Sequence, residues 1–165
     1  MNLQYCFRHL AHLDNMNNAN DLADLNGDAF LNFVVEYAYQ QEPNISEQNL
    51  PVQTAYFVSN FEAEFYNGGI HQFLTNSSGK FATETAESFA RIGALLIAAL
   101  VKKGASLEAD TAFENDSIAG EFEELDRKLH DSYPTNENGN IGEQMCIYLQ
   151  KNKHEVIQGI RLVPR

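Results

Sequence analysis

Residues 51–69 read PVQTAYFVSNFEAEFYNGG. Pro51 suits a first helical position, because the N–H that proline lacks is one the first turn leaves unbonded anyway. The helix predicted from there runs through Tyr56, Phe57 and Phe61 to Tyr66. Asn67-Gly68-Gly69 is expected to end it, since glycine tolerates the left-handed cap that other residues resist. A short apolar segment, Ile70 to Leu74, follows, and Asn76-Ser77-Ser78-Gly79 is a strong turn signal.

The same grammar extends outward in both directions. On the N-terminal side, Leu3, Cys6, Phe7, Leu10 and Leu13 recur at helical spacing before a polar stretch from Asp14 to Asn20. Asp28 is a plausible N-cap for a helix from Ala29 to about Gln41, with Phe30, Phe33, Val34, Tyr37 and Ala38 as its apolar face and Pro43 just beyond its end. On the C-terminal side, Phe89, Ile92, Leu96 and Leu100 form the apolar row of a long helical stretch interrupted at Gly93. Leu95 to Val101 is apolar all round, which predicts the central buried helix, ended by Gly104. A helix from about Ser117 to Asp131 turns Ile118, Phe122, Leu125 and Leu129 inward. After a polar loop, Pro134 to Asn140, the last helix runs from Ile141 to about Lys153 on Ile141, Met145, Tyr148 and Leu149. Phe33-Val34-Val35 and Val156-Ile157 are too short to decide a strand. The expected class is all-α, as one compact domain over residues 1–161. Leu162-Val163-Pro164-Arg165 matches the remnant of a protease site from an expression tag and is set apart.

The length of 165 residues and the apolar fraction of 44% fit one ordinary domain with a real core. Cys6 and Cys146 do not make a disulfide framework. No apolar run approaches a membrane span, and Met1-Asn2-Leu3-Gln4-Tyr5 lacks the basic-then-apolar order of a signal peptide. A reducing, cytoplasmic setting is therefore expected.

Charge is the unusual quantity. The formal net charge is −12, from 23 acids against 11 Lys and Arg. Such a surface repels nucleic acid and anionic membranes and attracts cationic proteins. The acids are segregated. From His9 to Gly79 there is no Lys or Arg, against Asp14, Asp21, Asp24, Asp28, Glu36, Glu42, Glu47, Glu62 and Glu64. From Gly104 to Asp126 there is again none, against Glu108, Asp110, Glu114, Asp116, Glu121, Glu123, Glu124 and Asp126. Glu123 and Glu124 precede Arg127 and Lys128 by four, a favourable helical pairing. Asp21, Asp24 and Asp28 have no such partner nearby. Taken alone, these residues favour the plainer reading, an acidic interaction domain whose carboxylates serve solubility.

Other chemistry fits poorly. Asp24-Leu25-Asn26-Gly27-Asp28 invites a calcium loop, but with Gly27 at the invariant glycine, positions one and twelve fall on Leu22 and Phe33, which offer no side-chain oxygen. Cys6, His9 and His12 share one side of a helix without an evident fourth metal ligand. His71, Gln72 and Glu64 near the Asn-Gly-Gly run, or Glu62 with Glu64, would suit acid–base work only in a cleft. No phosphate loop, G-x-S-x-G, H-E-x-x-H or zinc cysteine pair is present. Neither catalysis nor a metal or cofactor is expected.

Residues 61–79, with Glu64, Asn67-Gly68-Gly69, Gln72-Phe73 and Asn76-x-Ser78-Gly79, followed by Ile92-Gly93-Ala94, resemble the signature of a bacterial DNA mimic protein family. The resemblance covers roughly residues 55–104. It implies an all-helical fold, self-association as a homodimer, and sequestration of a helix-turn-helix transcription factor, without direct contact to nucleic acid or membrane. Read this way, transcription is regulated by carboxylates standing where phosphates would. Helical residues four apart stand about 6 Å apart along the axis, so rigid helices can hold such a row. The acids expected to act as phosphate surrogates are Asp14, Asp21, Asp24, Asp28, Glu121, Glu124 and Asp131. The signature run itself is expected to be mostly structural.

Overall fold

The computed structural model describes residues 19–110, 116–133 and 140–160. Every regular element among them is a helix, so the all-α expectation holds. In order these are α1 (Ala19–Asp24), α2 (Gly27–Gln40), a 3-10 turn (Glu42–Glu47), α3 (Leu50–Thr75), a second 3-10 turn (Ser77–Phe81), α4 (Ala82–Arg91), α5 (Leu95–Asp110), α6 (Asp116–Ser132), α7 (Ile141–Lys151) and α8 (Lys153–Gly159). The predicted helix through Leu3 and Leu13, the group Cys6, His9 and His12, Asp14, most of the 134–140 loop and the terminal Leu162–Arg165 lie outside the described residues. Among the described residues no helix is long and apolar enough to cross a membrane.

The central helix is α3, not the stretch from Leu95. It packs against α2, α4, α5, α6, α7 and α8. Phe61, Phe65, Phe73 and Phe89 are fully buried around it. Phe61 meets the edges of Phe73 at 4.9 Å and Phe89 at 5.3 Å between ring centroids and stacks on Phe65 at 5.5 Å. Each such ring contributes about 1.5–3 kcal/mol by leaving water. In α5, by contrast, Ile97, Ala98 and Val101 are buried while Leu95 and Leu96 are 67% and 59% exposed. An unbroken apolar run does not bury itself all round when neighbours cover only one side of the helix.

Helix ends differ from expectation in instructive ways. Asn26, not Asp28, holds the N-cap position of α2. Asp28 sits within the first turn, where a carboxylate still complements the helix dipole. Pro51 lies in the first turn of α3, as expected, and the Asn49 side chain caps it by accepting the Val52 N–H at 3.1 Å. Gly68 and Gly69 break α3 without ending it, and the chain resumes helix to Thr75. Gly104 does not end α5. A Cβ there would come within 2.5 Å of the Ile70 side chain, so this glycine admits close packing of α3 on α5. Gly93, at φ 91°, does make the α4–α5 turn. The C-terminal helix stops at Lys151, and Val156-Ile157 belongs to α8 rather than a strand.

Candidate protein-binding surface

Asp24 closes α1 and Asp28 opens α2, and both are exposed at the corner between them. Among the described residues neither forms an ion pair. Two later helices fasten the corner. From α7, the Cys146 thiol donates to Asp28 Oδ1 at 3.7 Å. From α8, the Lys153 ammonium donates to the carbonyls of Ala23, at 2.7 Å, and Leu25 and to Asn26 Oδ1 at 3.5 Å. The same ammonium lies 5.1 Å from the Phe30 ring centroid. Asp21 is on α1, with its side chain outside the described residues. The calcium-loop residues are divided between the end of α1 and the start of α2. Among the described residues no three of His, Cys, Asp and Glu converge as metal ligands would.

The α6 acids stand in a different electrostatic setting. Glu124 pairs with Arg127 at 2.7 Å and with Lys128 at 3.2 Å. Arg127 also reaches Asp131 at 3.2 Å, so it turns to Glu124 and Asp131 rather than to Glu123, as its sequence spacing suggested. The hydrogen bonds from Arg127 and Lys128 hold the Glu124 carboxyl down to about 2. Glu121 faces Lys103 of α5 at 4.0 Å. Of the predicted inward face of α6, Phe122, Leu125 and Leu129 are buried, and the Ile118 side chain lies outside the described residues. Asp24 and Asp28 are thus gathered on a corner held by α7 and α8, whereas Glu121, Glu124 and Asp131 share a helix that rests on α3 and α5.

Three acids of the base-free stretches serve the interior instead. Glu62 is only 7% exposed, and its Oε2 has no hydrogen-bond partner among the described residues. Burial pushes its carboxyl up to about 8. Glu64 accepts from the Gln72 side chain at 3.4 Å, the Asn76 side chain at 2.5 Å and the Ser78 hydroxyl at 3.0 Å. Asp126 Oδ1 accepts the Ile70 N–H at 2.7 Å. Glu64, Gln72, Asn76 and Ser78 therefore form one knot that folds the second half of α3 and the following turn together. Gly79 completes it, since a Cβ there would meet the Leu74 carbonyl oxygen at 1.9 Å. In this knot the polar groups near Asn67-Gly68-Gly69 bond one another. His71 instead lies against the Phe122 ring, centroids 4.9 Å apart, with Glu108 at 3.9 Å. The fixing of Asp24 and Asp28 by α7 and α8 was not legible beforehand, because their contacts span more than a hundred residues.

A family model described as DMP19-like protein matches residues 46–152. That span runs from within the first 3-10 turn to the end of α7 and leaves α1, α2 and α8 outside it. No curated protein and no solved structure matches the chain.

Proposed function

The chain belongs to the DMP19-like family, a DNA mimic family, and from that premise we propose that it binds a helix-turn-helix transcription factor through surface carboxylates and so keeps that factor off its operator DNA. The match over residues 46–152 carries this reading. Charge supports it. A DNA-binding face places Lys and Arg where several phosphates will be, and a competitor must offer several negative groups together on a rigid frame. This chain has a net charge of −12 and presents Asp24 and Asp28 at a fastened corner.

The proposed phosphate surrogates are Asp14, Asp21, Asp24, Asp28, Glu121, Glu124 and Asp131. Asp24 and Asp28 carry the larger share, because Arg127 and Lys128 offset Glu124 and Asp131 locally. Glu62, Glu64 and Asp126 belong to the fold and offer the partner nothing. The protein works by binding rather than by catalysis, and a homodimer presents the surface twice. Titration of the protein into a regulator–operator complex tests this, with free DNA as the readout. Displacement that weakens with added salt supports it. A variant neutralised at all seven positions that still displaces normally sinks the surface assignment.

The α6 ion pairs favour a second reading, in which the protein is an acidic interaction domain without mimicry. Its partner would then bind the protein and duplex DNA at the same time.

A further inference from the structure

We propose that Lys153 is a positioning residue that fixes the α1–α2 corner and thereby the placement of Asp24 and Asp28; its consequence for binding rests on the mimicry reading. Helix α1 has no basic residue in its last turn. The last carbonyls of a helix have no partner within it. Leu22, 1% exposed, anchors one side of it. The missing donor arrives from α8. Lys153 donates to Ala23 and Leu25 carbonyls and to the Asn26 side chain while its ammonium lies over the Phe30 ring. A lysine has three N–H donors, and here each has an acceptor on the corner. Val156, fully buried, seats α8 itself.

Both halves of this clamp lie outside residues 46–152. It joins the two flanks of the family-matched segment to each other. A corner fixed before binding loses less freedom when a partner docks. Lys153 therefore selects for a partner whose cations match one placement of Asp24 and Asp28.

The test uses the sign of the effect. Lys153→Met keeps an apolar stem on Phe30 but removes the ammonium, taking the formal charge from −12 to −13 (one base fewer of 11, against 23 acids). Electrostatics alone then predicts tighter binding to a cationic probe, whereas loss of the clamp predicts weaker binding. The probe is a fluorescent synthetic arginine-rich helical peptide, read by anisotropy. Lys102→Met, at an exposed site on α5, is the charge-matched control. Lys153→Met, which loses all three of these hydrogen bonds and with them the fixed corner, is expected to bind about tenfold more weakly than wild type. Lys102→Met should bind at least as well as wild type, and Lys153→Arg should restore most of the loss. Hydrogen exchange is measured in parallel. Amides of residues 22–31 should exchange faster in Lys153→Met, with α3 to α5 unchanged. Unchanged exchange at the corner overturns the clamp. Faster exchange with binding as tight as Lys102→Met overturns its role in binding. Failure of wild type to bind the peptide instead counts against mimicry, while exchange still decides the clamp.

Discussion

Asp126 on α6 accepts the backbone N–H of Ile70 at 2.7 Å, 56 residues away in sequence. The bond sits where α3 breaks. Gly69, at φ 78° and ψ −177°, leaves the helix, and the segment from Ile70 to Thr75 begins anew with open amides. Asp126 caps that restart from another helix. A Cβ on Gly69 would come within 2.4 Å of the Asp126 carboxylate and would hold a backbone angle that only glycine tolerates well. Asp126→Ala should therefore cost about 1–3 kcal/mol in urea denaturation, the cost of an unmet buried donor. Gly69→Ala should cost more than Asp126→Ala. An unchanged midpoint for Asp126→Ala would contradict the capping role.

Glu64 gathers Gln72, Asn76 and Ser78. Glu64→Gln keeps the shape but gives one acceptor oxygen in place of two, so about 1 kcal/mol of stability should go. Glu64→Ala should lose more, roughly 1–3 kcal/mol, because three donors lose their acceptor. Partner binding by the folded variants should stay near wild type, since these residues serve the fold. Denaturation and binding measured on the same preparations check both statements.

Glu62 makes stability depend on pH in an unusual direction. Its carboxyl rises from an ordinary value of 4.5 to about 8 because it is buried. Between those values the folded chain holds a proton that the unfolded chain has released, so stability falls as pH rises through this window and levels off above it. Glu62→Gln removes the titration. It should be stabilising relative to wild type at pH 8 and nearly neutral at pH 4. Thermal melts of both proteins across that range supply the measurement. Equal slopes would show that Glu62 is not the group responsible.

Much of this was legible in the sequence, and the misses have physical causes. Periodicity found the inward faces of α2, α6 and α7, because each is seated on neighbours along one stripe. It misjudged Leu95 and Leu96, because apolar composition does not say how many sides of a helix are covered. Glycine signals marked the breaks at Gly69 and Gly93, but Gly104 looked the same in sequence and serves packing on Ile70 instead. Charge counting treated all acids of a base-free stretch alike. It could not separate Asp24 and Asp28 from Glu62, Glu64 and Asp126, whose roles depend on contacts made across the fold. Lys153 escaped for the same reason, acting 130 residues away from Ala23.

Neutralising acids in pairs should distinguish the corner from α6. Asp24→Asn with Asp28→Asn should weaken binding to the regulator by on the order of tenfold, about 1.4 kcal/mol. Glu124→Gln with Asp131→Asn should change it much less, because Arg127 and Lys128 already offset these two carboxylates in the wild type and hold them away from a partner's cations. Titrations at two salt concentrations check this, and the corner variant should also show the flatter salt dependence. Equal losses for the two pairs would place both groups on the binding surface alike.

The most direct test of mimicry is whether the protein and DNA exclude one another on the same partner. Proteins from the source cell captured on the immobilised chain would be challenged with duplex DNA or with polyglutamate at equal charge. Mimicry predicts that a basic DNA-binding protein is retained, that duplex DNA releases it far better than polyglutamate, and that the purified chain in turn frees that protein's operator. Simultaneous binding of the captured protein to both the chain and duplex DNA would contradict it.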